Sequence, residues 1–403
     1  MADILFLAHR IPYPPDRGDK IRSWQLLKAL AALGRVHLAC FADDEADAAH
    51  LPPLRAALGD RLGEAHVEVR TAGKAKAGAR ALFGGSPVSL TLFDSPSLRS
   101  FVDAKLARGG VGAVFAFSGQ MAQFVPADWR GRFVMDFGDV DSAKFAAYAE
   151  EASGPMRWVY RREAARLAAF ERAVAARADV VTFVSEAEAK LFRGTTGLGN
   201  IRALSNGVDF AQFDPACNFA ALTGAERGEG PMLLFTGQMD YPPNVDAVRW
   251  FAREVLPMIQ GARFVIAGRA PSAEVRALAS ESVVVTGAVD DMRSWLAAAD
   301  VVVAPLRIAR GIQNKVLEAM AMARPVVASP AAFEGIEAEP GRDLIVANGA
   351  EAMADAINTL LADPDRSTLL GKAGRTLVTG SYSWESRLAP LAAMLDAPRK
   401  AAA

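Results

Sequence analysis

The sequence predicts an α/β protein built from two doubly wound parallel sheets, and three observations carry that prediction. Apolar runs of four to six residues recur along the chain: ILFLA, VHLACF, GAVFAF, FVMDF and VVTFV before Asn206, then MLLFTG, FVIAG, VVVTG, VVVAP, PVVAS and DLIVA after it. They are too short for helices and lack polar alternation, as strands covered on both faces should read. Ala-rich segments of helical spacing lie between them, for example residues 21–33, 245–259 and 290–299. Strand alternating with helix marks a parallel sheet. At 403 residues the chain is long for a single core, and the strands suffice for two sheets.

Taken in order, the first strand runs into HRIPYPPDRGDKIRS, a Pro-rich loop with Asp16 and Arg17 that leads to Gly18 and a helix carrying Asp19, Lys20 and Arg22. Bare backbone at Gly18 would let an anion approach. After FVM come Asp136, Asp139, Asp141 and Ser142, carboxylates at a strand end, with a helix N-cap as the alternative reading for Asp141 or Ser142. SNGVD and then DPACNFAALTGAERGEGP, rich in Gly, Pro and polar residues, read as a linker. The domains are therefore placed at residues 1–205 and 206–382, with a final helix at 383–397. In the second domain Gly237, Gly268 and Gly287 each close a strand. A tight turn would explain any one of them, but three at successive strand ends line a site with approachable backbone.

Residues 305–329, PLRIARGIQNKVLEAMAMARPVVAS, are the most informative stretch. They read as a strand end, a Gly-containing turn, an amphipathic helix from about Gly311 to Ala323, and another strand. Ile312, Val316, Met320 and Ala323 would face the sheet, while Gly311, Asn314, Lys315 and Glu318 line the polar face over two turns. That face suits a phosphorylated, hydroxyl-bearing ligand, or is an ordinary solvated helix surface.

Composition limits the classes. With 51% apolar and 23% charged residues the chain is globular rather than disordered. No apolar run approaches the roughly 18 residues of a membrane span, and no basic n-region precedes ILFLA, so a cytoplasmic protein is expected. Cys40 and Cys217 are far apart, and His9, His37, His50 and His66 are scattered without ligand spacing. Neither a metal site nor a cofactor is expected. The chain up to Asn206 carries a net charge of +4 and the rest −5. Residues 156–177 hold six Arg against two Glu. Val159, Leu167, Phe170 and Val174 suggest a buried face, leaving Arg157, Arg161, Arg162 and Arg166 on another. That is a surface helix with a basic face, or a patch that meets the anionic inner membrane. No basic-plus-aromatic module points to nucleic acid.

The same residues resemble the retaining GT-B glycosyltransferases of the large nucleotide-sugar family 4. LLFTGQMDYPPNVDAVRWFAREVLP is similar to the opening of that family's donor domain, FVIAG and VVVTGAVDDM to its next two strand-turn units, and VLEAMAMARPVVAS to its donor helix. IRALSNGVD resembles the entry to its interdomain linker, and SYSWESRLAPLAAML the helix that returns to the first domain. PYPPDRGDKIRS with MDFGDVDSAKFAAYA resembles the sugar transferases of exopolysaccharide and exosortase (PEP-CTERM) loci.

The resemblance implies two Rossmann-like domains facing a cleft, and a nucleotide sugar and a glycan or polyprenyl-linked acceptor as partners. It implies that Glu318 accepts hydrogen bonds from the ribose, that Gly311, Ile312 and Gln313 present backbone N–H groups to sugar and phosphate, and that Gly237 and Val289 flank the nucleotide. Gln238, Asn244, Gly268, Arg269, Asn314 and Leu317 complete the implied donor set. Asp16, Arg17, Gly18, Asp19, Asp136 and Asp141 form the implied acceptor and diphosphate loop.

Three departures stand out. Arg310 occupies the place of the family's first motif Glu, Gln238 and Asn244 replace two basic residues, and Asp136 or Asp139 stands where a His is common. The diphosphate would then be compensated by Lys315 and Arg310, with Arg269 as a further candidate. Lys315, Arg310 and Asp139 are the expected catalytic residues. A non-catalytic nucleotide-sugar binder and a nucleotide-sugar epimerase are the alternatives on the same fold.

Overall fold

The computed structural model describes residues 2–70, 86–210, 212–309 and 312–396. The chain up to Ser205, together with the chain from Leu388, forms one compact unit, and Asn206–Arg387 forms another.

The first unit is a seven-stranded parallel sheet of β1 (Asp3–Ala8), β2 (Val36–Ala42), β3 (Leu62–Val69), β4 (Val111–Phe117), β5 (Arg132–Gly138), β6 (Val180–Phe183) and β7 (Ile201–Ala203). Their order is β3-β2-β1-β4-β5-β6-β7. The second unit has β8 (Met232–Thr236), β9 (Arg263–Ala267), β10 (Val283–Gly287), β11 (Val301–Ala304), β12 (Val326–Ala328) and β13 (Ile345–Val346). These are ordered β10-β9-β8-β11-β12-β13, again all parallel. In each sheet the order reverses beside the first strand, between β1 and β4 and between β8 and β11. Ligands of doubly wound folds bind at the carboxyl ends of strands at such a switch.

The predicted runs are these strands, and β1, β2, β8 and β11 are buried along nearly their whole length. Two strands had no such signal. β3, LGEAHVEV, is an edge strand whose Glu and His residues interrupt the apolar run, and β7 has three residues. The segment 245–259 is not one helix either. It is helical over Pro242–Trp250, widens to a π-turn at Phe251–Val255 and ends in a 3₁₀ turn at Leu256–Met258. Pro257 has no N–H to continue the ladder and its ring would crowd the carbonyl one turn back, so a regular helix cannot pass through it.

Each unit has its own core. Phe137, Phe183 and Phe192 pack together in the first, with centroids 4.9 to 5.8 Å apart, and Phe251 meets Phe264 at 4.5 Å in the second. At the C-terminus are two helices, Trp384–Leu388 and Pro390–Asp396. The latter packs on the helix Gly18–Leu33 and on β5, where Arg132 Nε donates to the Met394 carbonyl at 2.7 Å. Among the described residues, no helix is long and apolar enough to cross a membrane.

Candidate active site

In the second unit three strand ends are tied together by glycine backbone. Gly237 N–H donates to the Ala267 carbonyl at 3.1 Å, and Gly268 N–H to the Gly287 carbonyl at 3.0 Å. A Cβ at Gly268 would lie 1.7 Å from the Gly237 carbonyl oxygen, so no side chain fits there. At Gly237 a Cβ would come within 2.7 Å of Asn244 Nδ2 and 3.1 Å of Lys315 Nζ. The bare backbone of Gly237 thus makes room for two polar side chains delivered by separate helices.

Those side chains form one unit. Lys315 Nζ donates to Asn244 Oδ1 at 2.7 Å and lies 4.2 Å from the centre of the Phe235 ring, where the ring's negative face favours a cation. Asn244 Nδ2 in turn donates to the Gln238 carbonyl at 2.9 Å, which fixes the amide's orientation. Asn314 Oδ1 accepts from Asn206 Nδ2 at 3.1 Å. Gln238 Nε2 donates to Asp240 at 2.7 Å, and the Arg269 carbonyl accepts from Met239 N–H at 2.9 Å. Asn244 thus positions Lys315 through its amide oxygen.

Lys315 and Glu318 stand three residues apart on the helix Asn314–Ala321. Burial pushes Lys315 down to about 7 and Glu318 up to about 7, each opposed by the charge of the other. Burial thus disfavours the charge of both, and an anion bound beside them would favour the charged ammonium.

The helix is shorter than its periodicity predicts. Ile312, Val316 and Met320 are buried as expected. Ala323 instead takes a left-handed φ of 53° and turns the chain, with Arg324 N–H closing on the Ala319 carbonyl at 2.9 Å. Leu317, expected in the donor set, is fully buried in the core and reaches no ligand surface with its side chain. Val289 is half-buried against the same core, and Gln313 is the uncapped N-cap. Arg310 and Gly311 lie outside the described residues.

In the first unit the loop after β1 is an ion-pair network. Asp19 contacts His9 Nε2 at 3.1 Å, Arg10 at 2.6 Å and Arg17 at 3.1 Å. Asp43 binds Arg10 at 3.1 Å and Arg17 at 2.8 Å, and also pairs with Arg70. Burial alone would raise Asp19, but the hydrogen bond with His9 and the charges of Arg10 and Arg17 hold it well below the usual carboxylate range. The same balance leaves Asp43 at about 2. Asp16 is exposed. A Cβ at Gly18 would meet nothing within 4 Å, so the fold itself does not demand glycine there. Sequence reasoning missed Arg10, Asp43 and Arg70, which carry no motif.

Asp136 corrects an expectation. Placed among the acceptor contacts by sequence, it is fully buried and accepts from Arg22 Nη2 at 2.6 Å and Gly138 N–H at 2.9 Å. Arg22 also donates to the Leu204 carbonyl at 2.7 Å, so the pair ties a helix to β5 and to the segment that follows β7 instead of facing a ligand. The helix N-cap is corrected too: Val140 occupies it without a side-chain cap on the helix Asp141–Glu151. The open Ser142 N–H is satisfied by Glu171 at 3.0 Å, and the Ser142 hydroxyl donates to the same carboxylate at 2.5 Å. Glu188 likewise accepts from Val140 N–H at 2.7 Å. A signal for Glu171 existed, since Glu163, Leu167, Glu171 and Val174 share one helical face.

Burial, reinforced by Glu188, pushes Asp139 up to about 7, and burial pushes Glu171 to about 7 and Asp141 upward. Unfolded carboxyls ionise near about 4. Between there and about 7 the folded chain holds extra protons, so stability is greatest at the acid end of that window and falls as pH rises through it. Thermal melts should therefore give a higher Tm at about pH 5.5 than at about pH 7.5, with Asp139 and Glu171 each contributing up to ~1.4 kcal/mol per pH unit. Asp139→Asn should flatten the slope, and a Tm that is flat or rising across the window refutes the assignment.

Among the described residues no group of three or more His, Cys, Asp or Glu is placed to hold a metal ion. Residues 230–363 match the family Glycosyl transferases group 1. The matched stretch lies wholly within the second unit. That stretch contains Gly237, Asn244, Gly268, Lys315 and Glu318. The chain is 30% identical over 236 residues to the GDP-mannose-dependent alpha-(1-6)-phosphatidylinositol monomannoside mannosyltransferase of Mycobacterium tuberculosis, covering 54% of this chain and 61% of that protein. A Corynebacterium glutamicum enzyme described as a GDP-mannose-dependent monoacylated alpha-(1-6)-phosphatidylinositol monomannoside mannosyltransferase is 26% identical over 53% of this chain and 61% of its own length. The chain thus spans less than two thirds of these relatives.

Among solved structures, sucrose-phosphate synthase from Thermosynechococcus elongatus aligns with a TM-score of 0.71 at 20% identity, covering 98% of both chains. Anabaena HepE in complex with UDP-glucose aligns at 0.68 and 15% identity, over 99% of this chain and 100% of its own. The two Rossmann-like units accordingly have the GT-B fold.

Proposed function

We propose that this protein is a retaining, metal-independent glycosyltransferase that moves a sugar from a nucleoside-diphosphate sugar to a glycan or polyprenyl-linked acceptor in exopolysaccharide synthesis. The observation that carries this reading is the Gly237–Asn244–Lys315–Glu318 constellation: an ammonium and a carboxyl beside approachable backbone at a strand end next to the sheet's switch point. Glu318 would take the ribose hydroxyls. Lys315, held by Asn244, would stabilise charge growing on the departing diphosphate. With the leaving group itself drawing the acceptor proton on the same face, positioning and electrostatics do the protein's work. The mannosyltransferase relatives and the UDP-glucose complex of HepE support a nucleotide-sugar donor.

Melting the purified protein against a panel of GDP- and UDP-sugars tests the donor, since a ligand at about 100 times its Kd stabilises by ~2.7 kcal/mol. Product anomers from the stabilising donor then test retention. No shift with any donor removes the proposal. A shift without transfer to any acceptor selects the non-catalytic binder, a reading favoured by Arg310 standing where the family has Glu.

A further inference from the structure

The helix Gly154–Arg177 packs with Asp141–Glu151 as a hairpin rising from the carboxyl end of β5. Its two acidic residues both turn inward. Glu163 accepts from Val88 N–H at 2.8 Å and from Ser89 N–H and hydroxyl at 2.9 and 2.7 Å, while Glu171 holds Ser142. Leu167 and Val174 are buried on the same side. Projected at ~100° per residue, the opposite half carries Trp158, Arg161, Arg166 and Arg172, with Arg157 at its edge, all exposed, and exposed Ala165, Ala168, Ala169 and Ala173 between them. Inward use of both carboxylates leaves this face with only positive charge.

The first turns of the helix add a second feature: on this same face Trp158 is 60% exposed, the most exposed tryptophan among the described residues. Single exposed apolar residues need no explanation, but an exposed Trp set within an all-cationic helix face is unusual. Indole is most stable at a membrane interface, where its ring is shielded and its N–H stays wet, and guanidinium pairs with lipid phosphate.

We infer that this helix is a docking face for an anionic bilayer, with Trp158 entering the interfacial layer and Arg157, Arg161, Arg166 and Arg172 meeting lipid headgroups. The inference is independent of the sugar-transfer chemistry, because docking is read without any donor.

Flotation of the full chain with phosphatidylcholine vesicles, with and without phosphatidylglycerol, tests it. The protein should float only with the anionic vesicles and be released by salt as screening grows. Arg157→Glu/Arg161→Glu should weaken partitioning about tenfold or more, and Trp158→Ala about tenfold. Unchanged melting temperatures would show that the variants fold. Wild type left unbound with both vesicle types, or equal flotation of wild type and the double Glu variant, overturns the proposal. So does a concentration-dependent dimer dissolved by Trp158→Ala in the absence of vesicle binding, which would assign the face to a second copy of the chain.

Discussion

Lys315→Ala is expected to lower kcat for sugar transfer by about a hundredfold or more while changing the Kd of the nucleotide much less. The size follows from losing one donor aimed at developing charge, and the asymmetry from where Lys315 lies. In the free protein its Nζ is held by Asn244 Oδ1 over the Phe235 ring, and burial leaves it at about 7. A bound donor's diphosphate restores its charge, and because that diphosphate gains one more negative charge as its bond to the sugar breaks, the attraction is strongest in the transition state, and only interactions that strengthen there raise kcat. The pH dependence has a defined sign. Donor binding takes up a proton, so kcat/KM falls as pH rises through about 7, and that limb disappears in the variant. Lys315→Arg should not restore the rate, because the longer planar group cannot keep both the Asn244 and Phe235 contacts. An unchanged kcat in Lys315→Ala removes the residue from the reaction.

Asp136→Ala should destabilise the first unit by about 3–5 kcal/mol, the usual cost of leaving one partner of a buried pair alone. Arg22 is 2% exposed and would lose its counter-charge, and Gly138 N–H would lose its acceptor. Urea unfolding measures this directly. The double variant Arg22→Met/Asp136→Ala should recover about 1–3 kcal/mol relative to the sum of the single changes. If Asp136→Ala instead keeps full stability and loses turnover, the carboxylate serves a substrate and its assignment as a strut is wrong.

These two residues show where the sequence is legible and where it stops. Strands covered on both faces have no polar alternation, so both sheets can be read from their apolar runs, whereas β3 at a sheet edge cannot. Gly237 and Gly268 are recognisable as strand-end glycines, yet the sequence does not say that the first clears space for Lys315 and the second for the Gly237 carbonyl. Lys315 and Asn244 are 71 residues apart, and Arg22 and Asp136 are 114 apart. A carboxylate at a strand end reads the same whether it faces a substrate or a buried guanidinium, and only the register of β5 against the helix Gly18–Leu33 separates the two. Local pattern specifies elements. Which distant side chain neutralises which charge is a property of the packed sheet.

The inward turn of Glu163 and Glu171 has a consequence for how this protein can change over evolution. Glu163, Leu167, Glu171 and Val174 anchor the helix Gly154–Arg177 from one side, so substitutions among the exposed arginines and alanines opposite leave those contacts intact. Drift can rewrite that exterior at little risk to foldability. A lineage could thus acquire a new cellular address without altering its chemistry, and an engineer could graft one by exchanging a handful of outward positions.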